Sequence, residues 1–238
     1  MKLVISSSEL LKGILTVSKA IPAKSTEAIL EDYLFVLEGD KLEVTASDKE
    51  ITMKTVITVD CTEEEGRFAV PARQLNDLLK ELPDQPITIS TISENQFKCA
   101  WASGESTLPY FNPDDYPESQ TTGDDANVVE FPGQSLADGI GRTLYASSDE
   151  ENRPVMNSIF FDITPNSTTL VASDLQKLTC YTADDVKAEV PCSFILNKRH
   201  AAVLKSVIGK DVENVTIKFD SKVAIFSFDN TTIICCLV

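Results

Sequence analysis

One stretch of this chain is written twice, and that repetition constrains the fold more than any other feature. Ala46-Ser47-Asp48 recurs 126 residues later as Ala172-Ser173-Asp174. At the same offset Ile29-Leu30 meets Val155-Met156, Phe35 meets Phe161, Phe68 meets Phe194 and Arg73 meets Arg199. The register needs no gap from residue 27 to residue 73, and it extends back to Leu10, Gly13 and Ile14, which meet Leu136, Gly139 and Ile140. Apolar periodicity alone does not match glycines, aspartates and arginines at one spacing. The chain is therefore two copies of one domain, expected at 1–122 and 127–238.

Within each copy the pattern reads strand, helix, several strands, then the same again. A helix is expected over 8–19, capped by Ser8, with Leu10, Ile14 and Val17 on its apolar face. A second is expected over 71–82, where Pro71 sits at the start that tolerates proline and Leu75, Leu78, Leu79 and Leu82 form a buried stripe. The second copy places helices over 132–147 and 197–208. Alternating apolar runs between them read as antiparallel strands joined by short turns, with 62–66 as an acidic turn. Residues 109–126 carry three prolines, Gly123 and the pairs Asp114-Asp115 and Asp124-Asp125 without apolar periodicity, which reads as an interdomain connection. The fold class is α+β, a tandem repeat of antiparallel sheets, each domain covered on one side by two helices.

Composition narrows the function classes. An apolar fraction of 42% with 24% charged residues belongs to a folded chain, and no run of about 18 apolar residues occurs that would span a membrane. The N-terminus turns polar at Ser6-Ser7-Ser8, too early for a secretory leader, so a cytoplasmic protein is expected. Six cysteines with no C-x-x-C spacing sit in strand-like runs and are expected to be buried and reduced. With one histidine, His200, and aspartates that lack calcium-loop spacing, no metal site and no cofactor are expected.

A net charge of −16 at first opposes a nucleic acid partner, but its distribution reverses that reading. The four expected helices carry +1, 0, 0 and +3, which leaves −20 for everything else. A neutral-to-basic helical side beside an acidic sheet side suits a polyanion on the helices, held through phosphates without sequence readout. No catalytic motif competes: G-x-S-x-G, the P-loop, G-x-G-x-x-G and H-E-x-x-H are all missing. Asp48 and Asp174 could in principle be paired carboxylates of an enzyme; their recurrence just after a strand favours a turn role that both copies need. A β-rich scaffold that binds protein or small ligand, without nucleic acid, is the alternative reading.

Four segments carry a more specific signal: Val70-Pro71-Ala72-Arg73 leading into an amphipathic helix, Ser106-Thr107-Leu108 followed by Asp115-Tyr116-Pro117, Arg153-Pro154-Val155-Met156-Asn157, and Val171-Ala172-Ser173-Asp174. In this order and spacing the chain resembles the bacterial DNA polymerase III beta subunit family, the replicative sliding clamps, through the first two of that family's three domains. The resemblance implies a non-catalytic ring of two subunits around duplex DNA, helices lining the hole and sheets outside, that tethers polymerase. By position it assigns Lys24, Arg73, Lys198 and Arg199 to the DNA backbone. It assigns Met156, Ser173, Leu175, Gln176, Lys177 and Leu178 to a groove that takes short apolar peptides of the clamp loader and polymerases. The family usually has Gly-His-Arg where this chain has Leu175-Gln176-Lys177. Gln74, Leu78, Leu82, Ser106 and Leu108 fall on the family's subunit interface. The third domain is expected to be absent from these 238 residues, which are then not expected to close a ring alone.

Overall fold

The computed structural model describes residues 1–238 and divides into two compact units, Met1–Ser119 and Gln120–Val238. In the first, β1 (Lys2–Ser6) runs directly into α1 (Ser7–Val17), followed by β2 (Asp32–Glu38), β3 (Lys41–Ser47), β4 (Ile51–Thr58), β5 (Cys61–Glu64) and β6 (Gly66–Pro71). Then come α2 (Ala72–Glu81), β7 (Pro86–Ser93), β8 (Gln96–Trp101) and β9 (Gly104–Pro109). Strands β6, β2, β3 and β4 pair in that order, and β5, β1, β7, β8 and β9 form a second sheet, antiparallel throughout.

The second unit repeats the plan with β10 (Asn127–Pro132), α3 (Gly133–Thr143), β11 (Ser158–Ile163), β12 (Thr168–Ser173), β13 (Leu178–Ala183) and β14 (Cys192–Asn197). It ends with α4 (Lys198–Val207), β15 (Asn214–Phe219), β16 (Val223–Phe228) and β17 (Thr231–Cys236). Its strands pair as β10, β15, β16, β17 and as β13, β12, β11, β14. Helices α1 and α3, and likewise α2 and α4, start and stop at positions 126 apart, so the offset read in the sequence governs the structure residue by residue. In each unit the two helices pack on one another.

The matched side chains are the ones that hold each core. Phe68 lies 5.7 Å from Phe35, 5.4 Å from Phe97 and 5.3 Å from Tyr110, centroid to centroid. Its counterpart Phe194 stacks on Phe161 at 4.5 Å and meets Phe219 at 4.6 Å. Each such ring contributes roughly 1.5–3 kcal/mol by burial and about 0.5–1.5 kcal/mol more per well-oriented pair. The matched glycines set how closely helix and sheet approach. A Cβ on Gly13 would stand 2.4 Å from Ile57 Cδ1, and one on Gly139 would stand 2.9 Å from Tyr181 Cδ1. A side chain at either position would force Ile57, or Tyr181 and Leu170, to shift.

Several expected details are corrected. The cap of α1 is Ser6, whose Oγ accepts from Glu9 N, while Ser8 donates to Asp84 Oδ1; three consecutive serines are equally competent caps and the end of β1 selects the first. Residues 61–64 form an edge strand, not only a turn; it is exposed on both faces, so no apolar alternation announces it. Leu78 and Leu82 are half-buried, leaving Leu75 and Leu79 as the seated residues of α2. Strand β11 begins at Ser158 because Arg153 to Asn157 are held in a turn, with Asn157 N donating to Arg153 O at 2.9 Å. All six cysteines are free, but only Cys99 and Cys235 are buried, and Cys61 and Cys180 are exposed.

Candidate functional site

Helices α2 and α4 follow directly on β6 and β14, so the last strand residue fixes where the first helical turn points. Pro71 and Asn197 are the caps, and the second helical residues are Arg73 and Arg199, both exposed. Neither helix has an acidic residue in its first turn. The positive end of a helix dipole disfavours a cation by roughly 0.3–1 kcal/mol, so arginine is locally the wrong choice, and both copies make it. In α4 the Arg199 N–H already donates to Asn197 Oδ1 at 2.8 Å, whereas Pro71 caps α2 with no side-chain hydrogen bond.

The other expected phosphate contacts differ in their surroundings. Lys24 is exposed on the loop after α1, and its neighbour Ala23 lines the same cleft as Arg73. Lys198 is held within its unit: Nζ donates to Asp149 Oδ1 at 2.6 Å and to Ser147 O at 3.2 Å. That hydrogen bond, with the ammonium charge, keeps the Asp149 carboxyl below the usual range. Further cations, Lys12, Lys80, Arg142 and Lys205, are exposed on the four helices, and Arg142 lies 5.8 Å over the Tyr181 ring. His200 faces the core at 2% exposure.

The repeated Ser-Asp pair builds a turn in each unit. Asp48 Oδ1 accepts from Glu50 N at 3.0 Å and from Ile51 N at 2.8 Å; Asp174 Oδ1 accepts from Gln176 N at 3.0 Å and from Lys177 N at 2.9 Å. Ser47 and Ser173 accept from the amides of Lys49 and Leu175, which take left-handed φ of 77° and 74°. Lys177 Nζ, donating at 2.7 Å, and the two backbone amides pull the Asp174 carboxyl down to about 2. These acceptor roles match the turn function expected for both aspartates.

In the second unit this turn carries an apolar surface. Leu175 and Leu178 are 69% and 66% exposed. The segment 145–157 lies alongside: Tyr145 Oη and Thr179 Oγ1 are 2.8 Å apart, and Ser148 N donates to Met156 O at 2.8 Å. Asn157 secures that segment, donating to Ser148 O at 2.7 Å and accepting from Asn197 Nδ2 at 3.2 Å. Met156 is thus half-buried beside exposed Val155. Tyr145 and Val155 are large exposed side chains that the sequence reading did not assign to the groove; Tyr145 sits just after α3, in the turn Leu144–Ala146. Of the remaining expected residues, Gln74 is exposed on α2, and Ser106 and Leu108 are half-buried on the edge strand β9. The chain has no helix long and apolar enough to cross a membrane.

Comparison with known proteins places this architecture. The sequence matches the family model for the DNA polymerase III beta subunit N-terminal domain over residues 1–120, and that for its central domain over residues 130–238. A beta sliding clamp of Halalkalibacterium halodurans is 29% identical over 187 residues, 75% of this chain and 48% of that protein. One of Staphylococcus aureus is 28% identical over 226 residues, 91% of this chain and 59% of that protein. The chain therefore spans about half the length of the relatives it matches. Two solved structures show the fold: a Pseudomonas aeruginosa sliding clamp bound to griselimycin (TM-score 0.94, 22% identity) and the Streptococcus pyogenes DNA polymerase beta subunit (TM-score 0.94, 20% identity). Each is matched over 100% of this chain and 64% of its own. The chain belongs to the DNA polymerase III beta subunit family and covers that family's N-terminal and central domains.

Proposed function

We propose that this chain works as a sliding clamp: a non-catalytic tether that tracks along duplex DNA and holds polymerase to it in the compartment where DNA is replicated. The observation that carries the reading is the recurrence of an exposed arginine in the first turn of α2 and α4, where helix electrostatics disfavours a cation and a bound phosphate would offset that cost. Lys24 and Lys198 join Arg73 and Arg199 as phosphate contacts. Such contacts position a protein on DNA and read no bases, which is what sliding requires.

Partner proteins dock, on this proposal, through short apolar peptides laid on Met156, Ser173, Leu175, Gln176, Lys177 and Leu178, with Tyr145 and Val155 at the margin. Two exposed leucines held by a rigid turn are a suitable anchor. Gln74, Leu78, Leu82, Ser106 and Leu108 supply the subunit contact of a homodimeric ring; half-buried leucines on α2 and an unpaired edge on β9 support that role.

Fluorescence anisotropy with two duplexes of unrelated sequence tests the reading. Both are expected to bind with equal affinity at low salt. Preference for one sequence, or no binding to either, contradicts it and returns the scaffold alternative.

A further inference from the structure

A cleft of about 890 Å³ opens in the first unit beside the start of α2, within the size range of small-ligand sites. Ile21, Pro22, Ile29, Pro71 and Phe111 give it apolar walls, and the Tyr33 hydroxyl and Asn76, whose Nδ2 donates to that hydroxyl at 2.9 Å, give it a polar side. Asp32, only 5% exposed, also lines it. Asp48, Asp174 and Asp220 each receive backbone amides, whereas no hydrogen bond or ion pair holds the Asp32 carboxyl. Partly desolvated and with no protein partner, the Asp32 carboxylate is suited to be the counter-ion of a cation that arrives with a ligand.

The charges around Asp32 agree. Glu31, Asp77 and Asp115 also line the cleft and outnumber Arg73 and Lys80. Burial first, and then the charge of Glu31, push the Asp32 carboxyl up to about 6.

We propose that this cleft binds an organic cation, a primary ammonium or guanidinium on an alkyl stem, with Asp32 as its counter-ion and the apolar walls around the stem. The site adjoins the proposed phosphate contact Arg73, which lines the same cleft, but the counter-ion role of Asp32 does not depend on the tethering role. A free amine and a lysine or arginine side chain of a peptide share this chemistry.

Amide-resolved NMR titration of the 238-residue chain tests it, using n-butylammonium, the neutral isostere 1-butanol and acetyl-Leu-Lys-Leu-amide. Saturable shifts confined to residues 21–33, 71–80 and 111–115 are expected with the two cations and not with butanol. Asp32→Asn is expected to weaken cation binding about tenfold or more, the scale of a charge-assisted hydrogen bond. Ala28→Trp, at an exposed position on the wall, blocks the cleft without touching Asp32 and decides the matter if the first variant does not fold. Tighter binding of the tripeptide than of butylammonium identifies a peptide side chain as the occupant; the reverse identifies a free amine. No saturable shift in the unmodified chain, or unchanged affinity in the variants, overturns the proposal whatever the DNA measurements give.

Discussion

Replacing Leu175 by glycine separates backbone strain from surface chemistry at one residue. Leu175 adopts φ 74°, a region that costs a residue bearing a Cβ about 1–2 kcal/mol, and its side chain is 69% exposed, so burial does not offset the cost. Glycine relieves the strain but adds about 0.5–1 kcal/mol of chain entropy in the unfolded state. The expected net effect is a stabilisation of about 0.5–1 kcal/mol. The repeat supplies an internal comparison, because Lys49 holds the same turn position at φ 77° in the first unit; Lys49→Gly should show a smaller gain, since it also removes the ion pair with Glu27. The two differ in binding. Covering part of an exposed leucine is worth about 1 kcal/mol, so Leu175→Gly should weaken capture of a labelled Ala-Leu-Ala-Leu-Phe peptide about fivefold, and Lys49→Gly should leave it unchanged. Urea unfolding followed by circular dichroism and peptide anisotropy measure the two effects. A loss of stability in Leu175→Gly, or equal peptide binding in both variants, would refute the assignment of this turn as a strained docking element.

Gly13→Ala should destabilise the first unit by up to about 2 kcal/mol, since overpacking against Ile57 costs about 1–3 kcal/mol and the helix gains only about 1. Ile57→Val in the same chain should recover part of that loss; the single tryptophan, Trp101, reports unfolding of this unit. Asp174 contributes stability that is fully present above the ordinary carboxylate pKa near 4 and is lost as pH falls toward about 2, because its folded pKa lies below the unfolded one. Asp174→Ala should therefore flatten the unfolding profile in that acid window, and an unchanged profile would contradict the assigned hydrogen bonds.

The repeat was legible because it is carried by residues with demanding environments. Phe35 and Phe68 meet in one core as Phe161 and Phe194 do in the other, Gly13 and Gly139 lie under close contacts, and the Ser-Asp turns close on the same backbone amides. Features that rest on pairing or on packing between distant segments were not legible. Strand β5 is acidic and exposed, and only its partnership with β1 makes it a strand. The left-handed turn residues escaped notice because lysine and leucine stand where glycine is the usual sign. The cleft beside Asp32 joins segments near residues 21, 32, 71 and 111, and no local pattern connects them.

The proposed tethering role rests on phosphate contacts by the matched arginines, and salt dependence measures this directly. Duplex binding by the chain and by the Arg73→Ala/Arg199→Ala variant should be followed by anisotropy between about 50 and 200 mM salt. Each lost phosphate contact lowers the slope of log affinity against log salt by about 0.9, so the double variant should show a slope shallower by about 1.8 and weaker binding to every sequence alike. An unchanged slope and affinity in the double variant would contradict the account.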